Sequence, residues 1–183
     1  SFYPTKNLGG AGDGGFVTAR RAQDAARLRR LRDHGQDRRF HPLEAGFNAR
    51  LDALQAMLLA RKLPALPAGN ARRARLAERY LKGLAALGGL PHAPVPLLPE
   101  SDGRSAWHAF VVRAPRRAAL MRALAAHGIG HQVYYPAALP DLPAYAKPRT
   151  ARNKDSWPVA RALARGCLAL PLHPGLRLRE VDA

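Results

Sequence analysis

The sequence has 183 residues, of which 47% are hydrophobic, and its 30 Lys and Arg against 13 Asp and Glu give a formal net charge of +17 at pH 7. This apolar fraction argues against intrinsic disorder, and no apolar run approaches the roughly 20 residues that cross a bilayer. The single cysteine, Cys167, excludes an internal disulfide and fits a reducing compartment, so the cytoplasm is the expected location.

The first half of the chain is expected to be mainly helical. Residues 9–15 contain five glycines and predict a loop, and residues 16–19 follow as a short strand candidate. Apolar spacing predicts three helices: residues 22–34, a second from about 51 until Pro64 and Pro67 interrupt it, and a third at 71–87. Residues 36–49 show no periodicity and are expected to be irregular.

The second half alternates strands and helices, which indicates an α/β or α+β arrangement. The predicted strands are residues 109–112, 131–135 and 167–170, and the predicted helices are 116–127 and one that opens at Pro158. Residues 88–103 are rich in proline and glycine and are expected to connect the two halves. Residues 136–157 form a predicted loop that is long enough to favour a functional role.

Lys6 is the first candidate for chemistry, because it directly precedes the glycine-rich loop and follows Ser1 by five residues. A lysine that forms a Schiff base must be neutral part of the time. A serine hydroxyl together with backbone N–H groups can bind a phosphate. From the residues alone, however, a solvated surface lysine beside an ordinary loop explains the segment more readily.

Five collinear motifs change this interpretation. They are SFYPTKNLG at 1–9 with GDGG at 12–15, GFNARLDALQA at 46–56, WHAF at 107–110, WPVA at 157–160 and LALPLHPGL at 168–176. Together they closely resemble the DegT/DnrJ/EryC1/StrS sugar aminotransferases over nearly the whole chain. The loop at 134–140, YYPAALP, departs from the two histidine positions usual in that family.

The resemblance implies an α/β fold, the C-terminal part of a fold type I transferase dependent on pyridoxal 5'-phosphate (PLP). Residues 1–88 would be the C-terminal part of the PLP-binding large domain with connecting helices. Residues 89–183 would be the small C-terminal α/β domain, cut short at its end. Since the first residues include no Met and no signal peptide, we expect the numbering to start inside a longer polypeptide.

The resemblance also assigns cofactor residues. Lys6 would bind PLP as a Schiff base and then serve as the general base of the proton shift, and Ser1 would contact the PLP phosphate. Asn48 would reach the same phosphate from the neighbouring subunit of a homodimer. A branch of the family with histidine at the lysine position dehydrates deoxy sugars, so Lys6 favours transamination. The carboxylate and the stacking aromatic that the family uses for the PLP ring lie upstream of Lys6.

Three residues are tentative substrate contacts: Arg50, His108 and Tyr134. Arg50 could equally form a structural ion pair with Asp52 or another carboxylate, and His108 could be a histidine packed in a strand. The expected substrates are glutamate and a nucleotide-linked keto-sugar, with a mild preference for the 3-keto position. No metal site is expected.

Two other functions remain open. The positive charge is typical of a basic nucleic-acid-binding module, although the arginines are scattered, no aromatic side chains are interleaved with them, and no zinc or helix-turn-helix motif is present. A nucleic acid is therefore the less favoured partner. The chain could also be a remnant of the aminotransferase family that folds without doing chemistry.

Overall fold

The computed structural model describes residues 1–98, 105–145 and 157–182. The fold is mixed α/β, and its chain contacts divide it into two compact units, Ser1–Ala68 and Gly69–Ala183. The sequence boundary at residue 88 differs from this division, because α3, the helix Leu66–Ala86, packs its Leu76 and Ala77 into the core of the second unit. The assignment of residues 1–88 and 89–183 to two domains of the family stays a prediction.

The first unit contains two helices and a small hairpin. These are α1 at Ala22–Leu31, β1 at Gln36–Arg38, β2 at His41–Pro42 and α2 at Ala53–Lys62, followed by a 3-10 turn at Leu63–Ala65. Asp52 begins α2 as its N-cap, since its carboxylate accepts hydrogen bonds from the backbone N–H groups of Leu54 and Gln55 at 2.7 and 3.3 Å. The helix ends at the 3-10 turn that contains Pro64, as expected from the missing N–H of proline.

The first unit has little apolar core. Within residues 1–68, Leu59 is the one hydrophobic side chain that is buried, at 6% exposure. Several large apolar side chains are instead mostly exposed: Phe16, Val17, Phe40, Phe47, Leu54 and Met57. Hydrogen bonds between loops and helix ends therefore hold much of this unit together.

The second unit is built on a three-stranded antiparallel sheet in the order β3-β4-β5. Its strands are Val95–Pro96, Phe110–Arg113 and Cys167–Leu170, and its further helices are α4 at Arg117–Ala126, α5 at Pro158–Gly166 and α6 at Leu178–Val181. Two 3-10 turns occupy Leu139–Asp141 and Pro143–Tyr145. No helix in the described ranges is both long and apolar enough to cross a membrane.

The core of the second unit lies where α3 covers the sheet. Phe110 and Val112 alternate inward along β4 and are 1% and 0% exposed, as the period of two in a strand requires. The ring of Tyr80 on α3 stacks on Phe110 with centroids 4.8 Å apart, and Trp107 stacks on the same ring at 5.7 Å. Burial of these rings anchors α3 to the sheet.

Five local expectations were wrong or incomplete. Residues 16–19 are exposed and form no strand, and residues 131–135 contribute one bridge, Gln132 to Ala169, instead of a strand. The irregular stretch 36–49 contains the hairpin, and the connector at 88–103 contains β3. The helix α3 also begins before residue 71, because Pro67 lies in its first turn, where the missing N–H costs nothing. Residues 146–156 of the predicted loop lie outside the described residues.

Candidate active site

Lys6 lies in a tight turn closed by its own backbone. Its N–H donates to the carbonyl of Tyr3 at 2.8 Å, and its side chain is half-buried. Ser1 lies two residues before this turn, and its hydroxyl oxygen accepts a hydrogen bond from the N–H of Tyr3 at 3.3 Å. The hydroxyl hydrogen of Ser1 can then be donated to an anion. One short segment therefore carries a primary amine and a hydroxyl donor.

The glycine-rich loop folds back onto this turn. The N–H of Gly10 donates to the carbonyl of Phe2, and the N–H of Phe2 donates to the carbonyl of Gly14, both at 2.7 Å. A Cβ atom at Gly9 would lie 2.3 Å from the carbonyl oxygen of Pro4. Only glycine allows the backbone to approach this closely, which explains the glycines in physical terms.

Asn48 is carried by a separate segment that is bound to the C-terminal end of α1. The N–H groups of Phe47 and Ala49 donate to the carbonyls of Leu31 and Arg32 at 2.7 and 2.8 Å, and Asp33 pairs with Asn48 in an isolated antiparallel bridge. The backbone of Asn48 is therefore fixed while its side chain remains exposed. This is the arrangement expected of a residue that presents an amide to a ligand.

Arg50 is held by Asp33 and not by Asp52. Its Nη1 lies 3.0 Å from Oδ1 of Asp33, and Oδ2 of Asp33 accepts a hydrogen bond from the amide of Gln36 at 3.0 Å. The amide of Gln36, aided by the charge of Arg50, holds the pKa of Asp33 below its usual value, so the carboxylate stays ionised. The sequence left open an ion pair between Arg50 and a carboxylate other than that of Asp52, and the structure contains one, with Asp33. Because Arg50 is exposed, its outer guanidinium face can still meet a ligand.

A basic cleft of ≈ 450 Å³ adjoins Arg50. It is lined by His34, Gln36, Arg39, Phe40, Pro42 and Arg50. The guanidinium of Arg39 lies 4.8 Å from the centre of the Phe40 ring, a distance typical of a cation–π contact. Two guanidinium groups beside an aromatic ring suit an anionic ligand with a planar part.

His108 and Tyr134 line a different cleft, in the second unit, of ≈ 230 Å³. His131 and Leu172 line the same cleft. Within this unit the buried side chain of Arg73 fixes the rim, because its Nη1 donates to the carbonyls of Leu172, His108 and Trp107 at 2.7, 3.2 and 3.3 Å.

The structure thus groups the site residues named from the sequence into three sets. Ser1 and Lys6 share the first short segment, Asn48 and Arg50 share the segment after the hairpin, and His108 and Tyr134 share a cleft of the second unit. Their roles toward a cofactor or a substrate remain predictions. Sequence reasoning missed Asp33, which lies at the end of the predicted helix 22–34, and Arg39, which lies in a stretch without periodicity.

A cofactor with an aldehyde and a phosphate fits the first of these sets. The amine of Lys6, a half-buried residue, can attack a carbonyl carbon, and the hydroxyl of Ser1 can donate to a phosphate oxygen from the same short segment. A side chain at Gly9 would collide with the backbone of Pro4, so the start of the glycine-rich loop has a fixed backbone path beside Lys6. These observations are compatible with PLP.

The comparison with known proteins agrees with this fit. The model of the DegT/DnrJ/EryC1/StrS aminotransferase family matches residues 1–183, and the chain therefore belongs to that family. The family depends on PLP in general, and the solved structure of NtdA from Bacillus subtilis, described as having bound cofactor PMP, is 28% identical to this chain. That match has a TM-score of 0.82 and covers 99% of this chain and 42% of the other.

Two further relatives are more similar. The dTDP-3-amino-3,4,6-trideoxy-alpha-D-glucose transaminase of Streptomyces venezuelae is 42% identical over all of this chain and 48% of its own length. The UDP-N-acetyl-3-dehydro-alpha-D-glucosamine 3-aminotransferase of Acidithiobacillus ferrooxidans is 37% identical over 99% of this chain and 47% of its own. The structure of S. venezuelae DesV in complex with a ketimine intermediate is 40% identical, with a TM-score of 0.89 over 99% of this chain and 48% of the other. This chain therefore spans about half the length of the relatives it matches.

Proposed function

We propose that this chain is part of a PLP-dependent aminotransferase that moves an amino group from glutamate to a nucleotide-linked keto-sugar. Such a reaction supplies amino sugars for surface polysaccharides or antibiotics. The observation that carries the proposal is the turn of Lys6. A half-buried lysine lies there five residues after the hydroxyl of Ser1, in a chain of the DegT/DnrJ/EryC1/StrS family.

Three residues would hold the cofactor. Lys6 would form the covalent bond to the aldehyde carbon, while Ser1 and Asn48 would donate hydrogen bonds to phosphate oxygens. When bound, PLP supplies the electron sink that makes the donor's α-proton removable. The amine of Lys6, released when the amino donor takes its place, would then accept and return that proton as general base. A single amine that is held in a fixed turn can perform both tasks without moving far.

The net reaction needs no outside oxidant. Glutamate gives up its amino group and two electrons and becomes 2-oxoglutarate, whose keto oxygen comes from water. The sugar takes the amino group and the two electrons, and its keto oxygen leaves as water, so the water balance is zero. Both the S. venezuelae and the A. ferrooxidans relatives are named for amination at carbon 3 of a nucleotide-linked sugar. We infer the same position here.

The basic cleft at Arg39 and Arg50 supports an anionic substrate. A nucleotide-linked sugar brings two phosphates and glutamate brings two carboxylates, and guanidinium groups bind both kinds of group in a bidentate manner. Arg50 is held in place by Asp33 at 3.0 Å, so less side-chain entropy is lost when a ligand binds. His108 and Tyr134, which line the cleft of the second unit, stay proposed substrate contacts.

A homodimer with shared active sites is part of the proposal. Asn48 is exposed on a fixed backbone, and the large apolar side chains that are exposed in the first unit form the kind of surface that proteins bury in an interface. The partner subunit and the remainder of the gene product are the proposed cover for this surface.

The direct test uses the intact gene product, PLP, glutamate and two dTDP- or UDP-linked sugars, one with a 3-keto and one with a 4-keto group. The 3-keto sugar should yield 2-oxoglutarate and an amino sugar in equal amounts. Lys6→Ala should abolish both products, whereas Lys82→Ala, at an exposed position on α3, should leave the rate unchanged.

Three results would count against the proposal. Full activity in Lys6→Ala removes the proposed role of the lysine. Preference for the 4-keto sugar removes the assigned position. Binding to phosphocellulose that falls steeply with salt, without any bound PLP, would instead favour a nucleic-acid-binding function.

A further inference from the structure

The helix α2 touches the glycine-rich loop through two side chains on one of its faces. The Oε1 atom of Gln55 accepts a hydrogen bond from the N–H of Ala11 at 2.8 Å, and Nζ of Lys62 donates to the carbonyl of Gly9. The two side chains are seven residues apart, which is close to two helical turns, so they project from the same side. Each reaches far back along the chain, by 44 and 53 residues respectively.

The contact between Gln55 and the loop leaves no spare room. A Cβ atom at Gly10 would lie 2.6 Å from Oε1 of Gln55, and one at Gly12 would lie 3.1 Å from its Nε2. The amide of Gln55 therefore lies between two glycines while it accepts the hydrogen bond from Ala11 between them. A shorter side chain at position 55 would leave this part of the loop without its hydrogen-bond acceptor.

The loop in turn holds the segment that carries Lys6. Its residues on either side of Ala11, Gly10 and Gly14, are hydrogen-bonded to the backbone of Phe2 at 2.7 Å each. Phe2 lies next to Tyr3, whose carbonyl closes the turn of Lys6. A continuous set of short hydrogen bonds thus runs from α2 through the loop to the turn.

The backbone of Gln55 is fixed as well. The carboxylate of Asp52, the N-cap of α2, accepts hydrogen bonds from the N–H groups of Leu54 and Gln55. This cap sets where the helix starts, and therefore where the side chain of Gln55 begins. The spacing of Asp52 and Gln55 within the motif LDALQ therefore has a physical explanation, because Asp52 caps the helix whose first turn carries Gln55.

We infer that Gln55, supported by Lys62, is a positioning residue that holds the glycine-rich loop and so sets the position of the Lys6 amine for attachment of the cofactor. The inference rests on the proposed function, because it concerns the same amine. It adds that the helix α2, whose residues do not react, decides how readily Lys6 reacts.

The experiment compares three variants of the intact gene product. Gln55→Ala removes the acceptor, Gln55→Glu keeps a carboxylate oxygen in its place, and Gln23→Ala is the matched control at an exposed position of α1. Each protein is freed of cofactor, incubated with graded PLP, and reduced with borohydride. In this reaction the lysine amine condenses with the aldehyde carbon, releasing water, and hydride then fixes the new carbon–nitrogen bond. Peptide mass spectrometry measures the fraction of Lys6 that is modified.

Gln55→Ala should raise the PLP concentration for half-modification roughly tenfold, the effect of losing one well-placed hydrogen bond. Gln55→Glu should return to within about threefold of the unaltered protein, because it can accept from Ala11. Gln23→Ala should have no effect. Hydrogen exchange in the cofactor-free proteins should be faster at residues 9–14 in Gln55→Ala alone.

Several outcomes decide the inference. If Lys6 is modified in the unaltered protein and Gln55→Ala needs no more PLP, the positioning role is wrong and the proposed function stands. If the unaltered protein is never modified at Lys6, the proposed function fails and the inference fails with it. If hydrogen exchange rises throughout α3 in Gln55→Ala, that variant has lost its fold. Lys62→Met then takes its place, with Arg61→Met at the exposed neighbouring position as control. A PLP requirement of Lys62→Met no higher than that of Arg61→Met would show that the positioning role is wrong.

Discussion

Replacing Arg73 by methionine tests whether the hydrogen bonds of this buried guanidinium outweigh the cost of burying its charge. Arg73 is 7% exposed, and burial lowers the pKa of its guanidinium below the usual value. In the described part of the chain no carboxylate pairs with it, and its recorded partners are three carbonyl oxygens at 2.7, 3.2 and 3.3 Å. Methionine fills a similar length without any donor, so these carbonyls lose their common partner.

The magnitude follows from opposing terms. The bond to Leu172 at 2.7 Å is a charge-assisted one, worth about 1.5–3 kcal/mol, and the two longer bonds share the same nitrogen and add less. Removal of the charge recovers part of the desolvation cost, while each buried carbonyl left without a donor costs about 1–3 kcal/mol. We therefore expect Arg73→Met to lower the free energy of unfolding by about 2–3 kcal/mol.

Urea unfolding of the 183-residue chain, followed by circular dichroism, measures this difference. Arg75→Met is the matched control, since Arg75 is exposed on the same helix, and it should change the unfolding free energy by less than about 0.5 kcal/mol. Arg73→Lys keeps the charge without the fork of donors and should fall between the two. An Arg73→Met chain as stable as the original, or more stable, would refute the reasoning, because burial of the charge would then cost more than its hydrogen bonds return.

Two further changes test the backbone and the core. Gly35→Ala should lower the unfolding free energy by at least about 2 kcal/mol, because Gly35 has φ +72° and its Cβ would lie 1.8 Å from the Glu44 carbonyl oxygen. In the same urea assay Gly83→Ala, in the open interior of α3, should raise the unfolding free energy by about 0.5–1 kcal/mol. Equal effects of the two substitutions would contradict the strain at Gly35. Tyr80→Phe removes a hydrogen bond of 2.9 Å to the carbonyl of Pro171 and should cost about 1 kcal/mol. Because burial raises the pKa of Tyr80 to about 12 from 10.0, its phenol stabilises the fold fully below pH 10, and this contribution disappears as the pH rises through 12. The unfolding free energies of the original and Tyr80→Phe chains should therefore converge as the pH rises between these values. A difference that stays constant over this range would refute the stabilising role of the Tyr80 phenol.

The elements with strong local signals were predicted correctly. The helix at Pro158–Gly166 opens on a proline, and the strand Cys167–Leu170 is short and apolar. Both depend on interactions within a few residues of sequence, so the pattern alone is sufficient. The helix Ala22–Leu31 follows its apolar spacing for the same reason.

The hairpin at Gln36–Pro42 could not be predicted from its residues. Its strands are two and three residues long and its burial pattern is largely exposed, so it has no alternation to detect. At its tip Phe40 takes φ 64°, where a turn signal would normally be glycine or asparagine. At this tip the N–H of Phe40 donates to Oε1 of Gln36 at 3.0 Å.

The residues proposed for the candidate site came from the sequence, whereas the side chains that hold them did not. Lys6 and Asn48 were named through motifs, because the family resemblance is local in sequence. Asp33 and Gln55 act through contacts that span 17 and 44 residues, and no periodicity relates such positions. The structure supplies these partners, and with them the physical reason for the glycines and for the start of α2.

The central claim is that the amine of Lys6 forms the covalent bond to PLP. The most direct measurement is borohydride reduction of the intact gene product with PLP, followed by mass analysis of every lysine-containing peptide. The reduced cofactor should be found on the peptide with Lys6 and not on that with Lys82. Modification spread evenly over exposed lysines, or confined to a peptide that lacks Lys6, would contradict it.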